Sequence, residues 1–183
     1  MNLSEATHAP AAPGIGAELR AAAVYVLTGA FALLLQTTVF HTLTGGKVIP
    51  DLVLILCVYL GLREHNVGGA AGAFLLGYLL DSFSGSLVGL HAFAMTSVYV
   101  VVYLVSRRLW MDNVPAGVAM VFLGTFLKGL AIVAALAAYL SVERLSIGMA
   151  QTLLAEALLA AALTPVVFGV VDWEMRVAGG DVR

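Results

Sequence analysis

The sequence predicts an all-α, polytopic integral membrane protein with six transmembrane helices and almost no mass outside the bilayer. Composition is the first reason. Hydrophobic residues make up 61% of the 183-residue chain and charged residues 11%, with a mean hydropathy of +1.00. Soluble domains carry about 25% charge, so this chain lacks the polar side chains to cover its apolar surface. The second reason is a recurrence of apolar runs on the scale of the ~20 helical residues that cross a ~30 Å hydrocarbon core. The third is the shortness of the polar segments between them. A net charge of −2 offers no basic surface for nucleic acid. The single cysteine, Cys57, lies in an apolar run without a disulfide mate and reads as a small buried hydrophobe.

Residues 1–20 are polar and rich in Ala and Pro, and are expected to form a disordered cytoplasmic tail. They lack the basic lead and short apolar core of a cleaved signal, so the first apolar run should be retained. Crossings are predicted at about 21–41, 49–63, 67–82, 87–106, 114–140 and 148–172. Together they make one domain over 21–173, followed by a cytoplasmic tail over 174–183. The second and third runs span only ~22–24 Å at 1.5 Å per residue. They either sit in locally thinned bilayer or are sheltered by longer neighbours. The fifth is long enough to need tilting. Pro50 and Asp51 open the second helix, where a negative charge suits the N-terminus. Asn113 and Pro115 read as cap and first turn of the fifth. Pro165 should kink the sixth and free a carbonyl near Ala161.

Orientation follows from the basic residues. With the N-terminus inside, cytoplasmic segments hold Arg20, Arg63, Arg107, Arg108, Arg176 and Arg183, against Lys47 and Arg144 outside. This fits the positive-inside rule with both termini cytoplasmic, and it places Trp110 and Trp173 at the inner interface.

Polar residues inside the runs need explanation, because a charge in lipid is costly without a partner. Asp81 is the only acidic or basic residue between Glu64 and Arg107. It sits before a Ser84-Gly85 turn, with His91 at nearly the same depth. Its carboxylate can lock the turn by accepting backbone N–H and hydroxyl hydrogen bonds or by pairing with His91. It can also serve a ligand or ion, or contact a partner. Gly69, Ala73, Gly77 and Asp81 recur every four residues and share one helical stripe, drifting ~40° per step. Small residues let helices approach closely, within the bundle or onto a partner's transmembrane helix. Lys128 and Glu156 differ in depth by roughly 6 Å, within a lysine's reach, so an intramembrane ion pair is expected. It would fix register, couple protons, bind substrate or contact another subunit. One acid and one histidine are too few ligands for a metal. No G-x-S-x-G, HExxH, CxxC, Walker loop or GxGxxG motif occurs, so neither enzyme chemistry nor a cofactor is expected.

The segment Pro50–His91 resembles the rod shape-determining protein MreD family of bacteria. The shared features are Pro50-Asp51 at the head of a helix, a short polar turn, and a glycine-rich helix, GGAAGAFLLGYLLD. An Asp-x-x-Ser-Gly-x-x-x-Gly pattern follows, formed by Asp81, Ser84, Gly85 and Gly89, then Leu90-His91-Ala92. The resemblance implies a non-enzymatic scaffold of the cell-elongation machinery in the bacterial cytoplasmic membrane. Such a scaffold would bind MreC and help couple MreB filaments to peptidoglycan synthesis by RodA and its transpeptidase. Lys128 and Glu156 inherit no role from it. The family is also similar in architecture to the substrate-binding components of energy-coupling-factor vitamin transporters. The alternative is therefore a small-molecule capture component, with a cavity lined by Asp81, His91 and Glu156.

Overall fold

A computed structural model describes residues 15–40, 42, 45, 48–84, 87–109, 114–139 and 147–177. These form six α-helices. They are α1 (Ile15–Leu34), which continues through a π-helical segment (Leu35–Phe40), α2 (Leu52–Arg63), α3 (Val67–Ser84), α4 (Leu90–Leu109), α5 (Val114–Tyr139) and α6 (Ile147–Val177). No strand occurs among the described residues. Five helices, all but α2, are long and apolar enough to cross a membrane. At 12 residues, or ~18 Å, α2 is too short to cross alone.

That short helix is the centre of the molecule. Every residue from Leu52 to Leu62 is buried, and α2 packs against each of the other five helices. Those five contact one another in the order α1–α3–α4–α5–α6, with α6 returning to α1, so they enclose α2 as a ring. The sequence of α2 explains its position. LVLILCVYLGL has no polar face, as a helix buried on all sides requires. Its interior contacts include Tyr59 edge-on to Phe168 at 5.2 Å and the Cys57 thiol donating to the Met95 carbonyl at 3.1 Å.

A helix that ends inside a bundle leaves unpaired backbone groups that lipid cannot satisfy. Neighbouring helices supply the partners. At the start of α2, Asp51 Oδ1 accepts from the Leu54 N–H at 2.9 Å, and Gln36 Oε1 from the π-helical segment accepts from the Leu52 N–H at 3.1 Å. At its end, Ser106 donates to the Gly61 carbonyl at 3.3 Å. Tyr99 donates to the carbonyls of Glu64 (2.7 Å) and Asn66 (3.0 Å). Of the two explanations for a short second helix, shelter by longer neighbours is the one observed. The third needs no such shelter, because α3 is 18 residues long.

Other boundaries move by a few residues. Helix α1 begins at Ile15, inside the segment expected to be a disordered tail, and α6 runs on to Val177 through the start of the expected C-terminal tail. Helix α6 continues unbroken through Pro165, and just before it Thr164 donates to the Ala160 carbonyl at 2.9 Å. Residues 1–14 and 178–183, with Asn113, Trp110, Lys47 and Arg144, lie outside the described residues.

The exterior is apolar, as a lipid-facing surface must be. Leu27, Phe31, Leu104, Leu123, Leu130 and Val166 are all more than half exposed.

Candidate functional site

The hairpin of α3 and α4 carries a densely bonded side chain, Asp81, with four hydrogen-bond contacts among the described residues. Asp81 in the last turn of α3 is 2% exposed. Its Oδ2 accepts from the backbone N–H of Gly89 (2.9 Å) and Ala92 (3.1 Å), and its Oδ1 from the backbone N–H of His91 at 2.9 Å. His91 Nδ1 lies 2.9 Å from Oδ1 as well. A carboxylate from one helix thereby fills the open N-terminus of the next, where the helix dipole favours negative charge. Gly89 holds φ +96°, a left-handed conformation that suits glycine and turns the chain into α4. Both sequence-level alternatives for locking the turn occur together: backbone donors and His91. Ser82 takes no part, since its hydroxyl donates to the Tyr78 carbonyl at 2.9 Å. Ser84 ends α3, whereas Gly85 lies outside the described residues.

The small-residue stripe explains how Asp81 reaches α4. A Cβ on Gly77 would lie 2.5 Å from Ala92 Cα and 2.6 Å from the His91 carbonyl oxygen, so the two backbones meet there. A Cβ on Gly69 would lie 2.6 Å from the Glu64 carbonyl oxygen and 2.7 Å from the Tyr99 hydroxyl. Ala73 is fully buried. The stripe is consumed by contacts inside the protein, so the sequence-level option of a partner helix docking along it has no open face to use.

The second constellation surrounds the start of α2. Lys128 of α5 closes on Asp51 Oδ2, while Oδ1 of the same carboxylate caps α2. This corrects the expected partner of Lys128, which was Glu156. Glu156, partly buried on α6, is a third ionisable group near the pair and forms no ion pair with Lys128. The reason is geometric. The short α2 begins well inside the bundle, which brings Asp51 down to the depth of Lys128. The Asp51 and Lys128 side chains are 8% and 17% exposed, so the pair is largely withdrawn from solvent and lipid.

A third set of polar contacts had no sequence signal. Tyr59 donates to Asp172 Oδ1 at 2.6 Å, Tyr25 to Glu64 Oε1 at 3.1 Å, and Thr28 to Glu174. These bonds tie α2 and α1 to α6, and α1 to the α2–α3 turn. Pairings of hydroxyl and carboxylate across up to 146 positions leave no local pattern to read.

Most of these contacts join one helix to another. Asp81, Asp51 and Lys128 each have a partner within the protein, and no buried side-chain polar atom lacks one among the described residues. Nor do the described residues contain a group of three or more His, Cys, Asp or Glu placed to hold a metal ion.

The model of the family described as rod shape-determining protein MreD matches residues 20–172. Comparisons with curated proteins and with solved structures returned no match. The expected likeness to energy-coupling-factor components therefore finds no support from a solved structure.

Proposed function

Because the chain belongs to the MreD family of rod shape-determining proteins over most of its length, we propose that it is a non-enzymatic scaffold of the cell-elongation complex. It is a multi-pass membrane protein with a role in determining rod shape. In this reading it lies in the bacterial cytoplasmic membrane and crosses six times, counting the sheltered α2. Both termini are cytoplasmic. It binds MreC and, directly or through MreC, links MreB filaments to RodA and its transpeptidase.

One observation supports a scaffold over a catalyst or carrier: the intramembrane polar groups are spent on one another. Asp81 caps α4, and Asp51 both caps α2 and holds Lys128. A protein whose interior is committed in this way acts through its outer helix faces and short loops. The distribution of basic side chains supports the orientation, since Arg63, Arg107, Arg108 and Arg176 all fall in or beside the last turns of α2, α4 and α6.

The test is a mild-detergent pull-down from native membranes at endogenous expression, with mass spectrometry of what travels with the protein. MreC together with RodA and its transpeptidase is the expected recovery. Recovery of a pair of ATPases with a coupling membrane subunit, and no MreC, would overturn the scaffold reading in favour of a capture component.

A further inference from the structure

The exposed side of α4 forms a continuous track. Phe93, Ser97, Val100, Val101, Leu104, Arg107 and Arg108 all lie within about 60° of Leu104 around the helix at 100° per residue. Phe93, Val100, Val101 and Leu104 are each more than 40% exposed, and both arginines are exposed. An apolar strip therefore ends in two guanidinium groups at the last turn of a membrane-spanning helix.

Arg107 is not a free surface arginine. Its Nη1 donates to the Tyr103 hydroxyl at 3.1 Å, and its guanidinium carbon lies 5.6 Å from the centre of that ring. Tyr103 stacks on Tyr99 at 6.2 Å with the rings nearly parallel. Tyr99 is in turn fixed by its two hydrogen bonds to the α2–α3 turn. The ring of His65 closes the other side, 5.6 Å from Tyr103. Among the described residues, no carboxylate lies within ion-pair distance of Arg107 or Arg108. A cation held on a rigid aromatic support, unneutralised and at the end of an apolar track, suits a ligand with a phosphate at one end and hydrocarbon at the other.

We propose that Tyr103, Arg107 and Arg108 bind the phosphate of an anionic phospholipid in the leaflet at this end of the bundle, its chains lying along Leu104, Val101 and Val100. Position at a helix C-terminus accounts for a cation there. It does not account for the aromatic support or for alignment with the exposed strip.

Native mass spectrometry of the full chain in detergent, titrated with phosphatidylglycerol or phosphatidylcholine, tests the site. The wild type should bind phosphatidylglycerol in preference. Each arginine removed should weaken that binding about fivefold, so Arg107→Gln/Arg108→Gln loses about 25-fold. Arg176→Gln, on an exposed arginine in the last turn of α6, should lose less than twofold. If the double variant lacks the wild-type helical melt, Arg107→Gln alone carries the comparison. The proposal is overturned if the arginine variants bind within twofold of wild type, or if phosphatidylcholine binds equally well. It is equally overturned if Arg176→Gln loses as much, or if millimolar inorganic phosphate displaces the lipid.

Discussion

Asp81→Ala is expected to be the most damaging single substitution in the protein. It strips the acceptor from three backbone N–H groups at the head of α4 and from His91 Nδ1. Hydrogen bonds to a charged group contribute about 1.5–3 kcal/mol each, and removing one member of a buried charged set costs about 3–5 kcal/mol. A loss at the upper end of that range is expected, read as a fall in the melting temperature of the purified protein and in its steady-state level in the membrane. Asp81→Asn keeps the shape and part of the acceptor capacity, and should lose about half as much. A wild-type melt for Asp81→Ala would show that the turn holds without its carboxylate.

Gly77→Ala is the second large effect. The added Cβ would meet backbone atoms of Ala92 and His91 at 2.5–2.6 Å, which no side-chain rotation relieves. Overpacking of this kind costs about 1–3 kcal/mol or more. It also pushes α4 away from α3, lengthening the Asp81 hydrogen bonds to the same residues. The two substitutions should therefore be less than additive when combined, as expected for neighbours sharing partners. Gly72→Ala is the internal comparison. Its Cβ meets only the end of the Leu60 side chain at 3.3 Å, so its melting temperature should stay near that of the wild type.

Much of this was legible in the sequence, for identifiable reasons. Asp81 could be paired with the turn and His91 because a charge in an apolar stretch must find partners, and a short turn leaves few candidates. The helices were legible from hydropathy, five of them long and apolar enough to cross a membrane, since backbone bonding in lipid leaves little alternative. The partner of Lys128 was not. Reading outward from a shared turn pointed to Glu156 on the next helix, whereas Asp51 lies 77 positions away. Finding it requires knowing that α2 starts inside the bundle, beside the middle of α5. One signal was available: LVLILCVYLGL is an apolar run too short to cross lipid by itself, which points to shelter among longer helices. The stripe at Gly69, Ala73 and Gly77 announced a close approach, but nothing in it says which helix approaches. The hydroxyl bonds from Tyr59 and Tyr25 depend on ring closure by α6 and α1, and no local pattern encodes that.

The central claim is that the intramembrane charges build the scaffold and take no direct part in what it does. Neutralising Asp51 and Lys128 separately and together tests it most directly, with cell shape and protein level read in cells whose only copy is the variant. Asp51→Asn keeps an oxygen to cap α2 and leaves Lys128 beside Glu156, so a mild defect is expected. Lys128→Met leaves the buried Asp51 carboxylate without the cation it pairs with, and loss of protein with rounding of the cells is expected. Adding Asp51→Asn to Lys128→Met should restore most of the protein and the rod shape, because a buried pair can be exchanged for neutral groups at little cost. A double variant that accumulates to wild-type level while the cells stay round would contradict the claim and place the charges in the function itself.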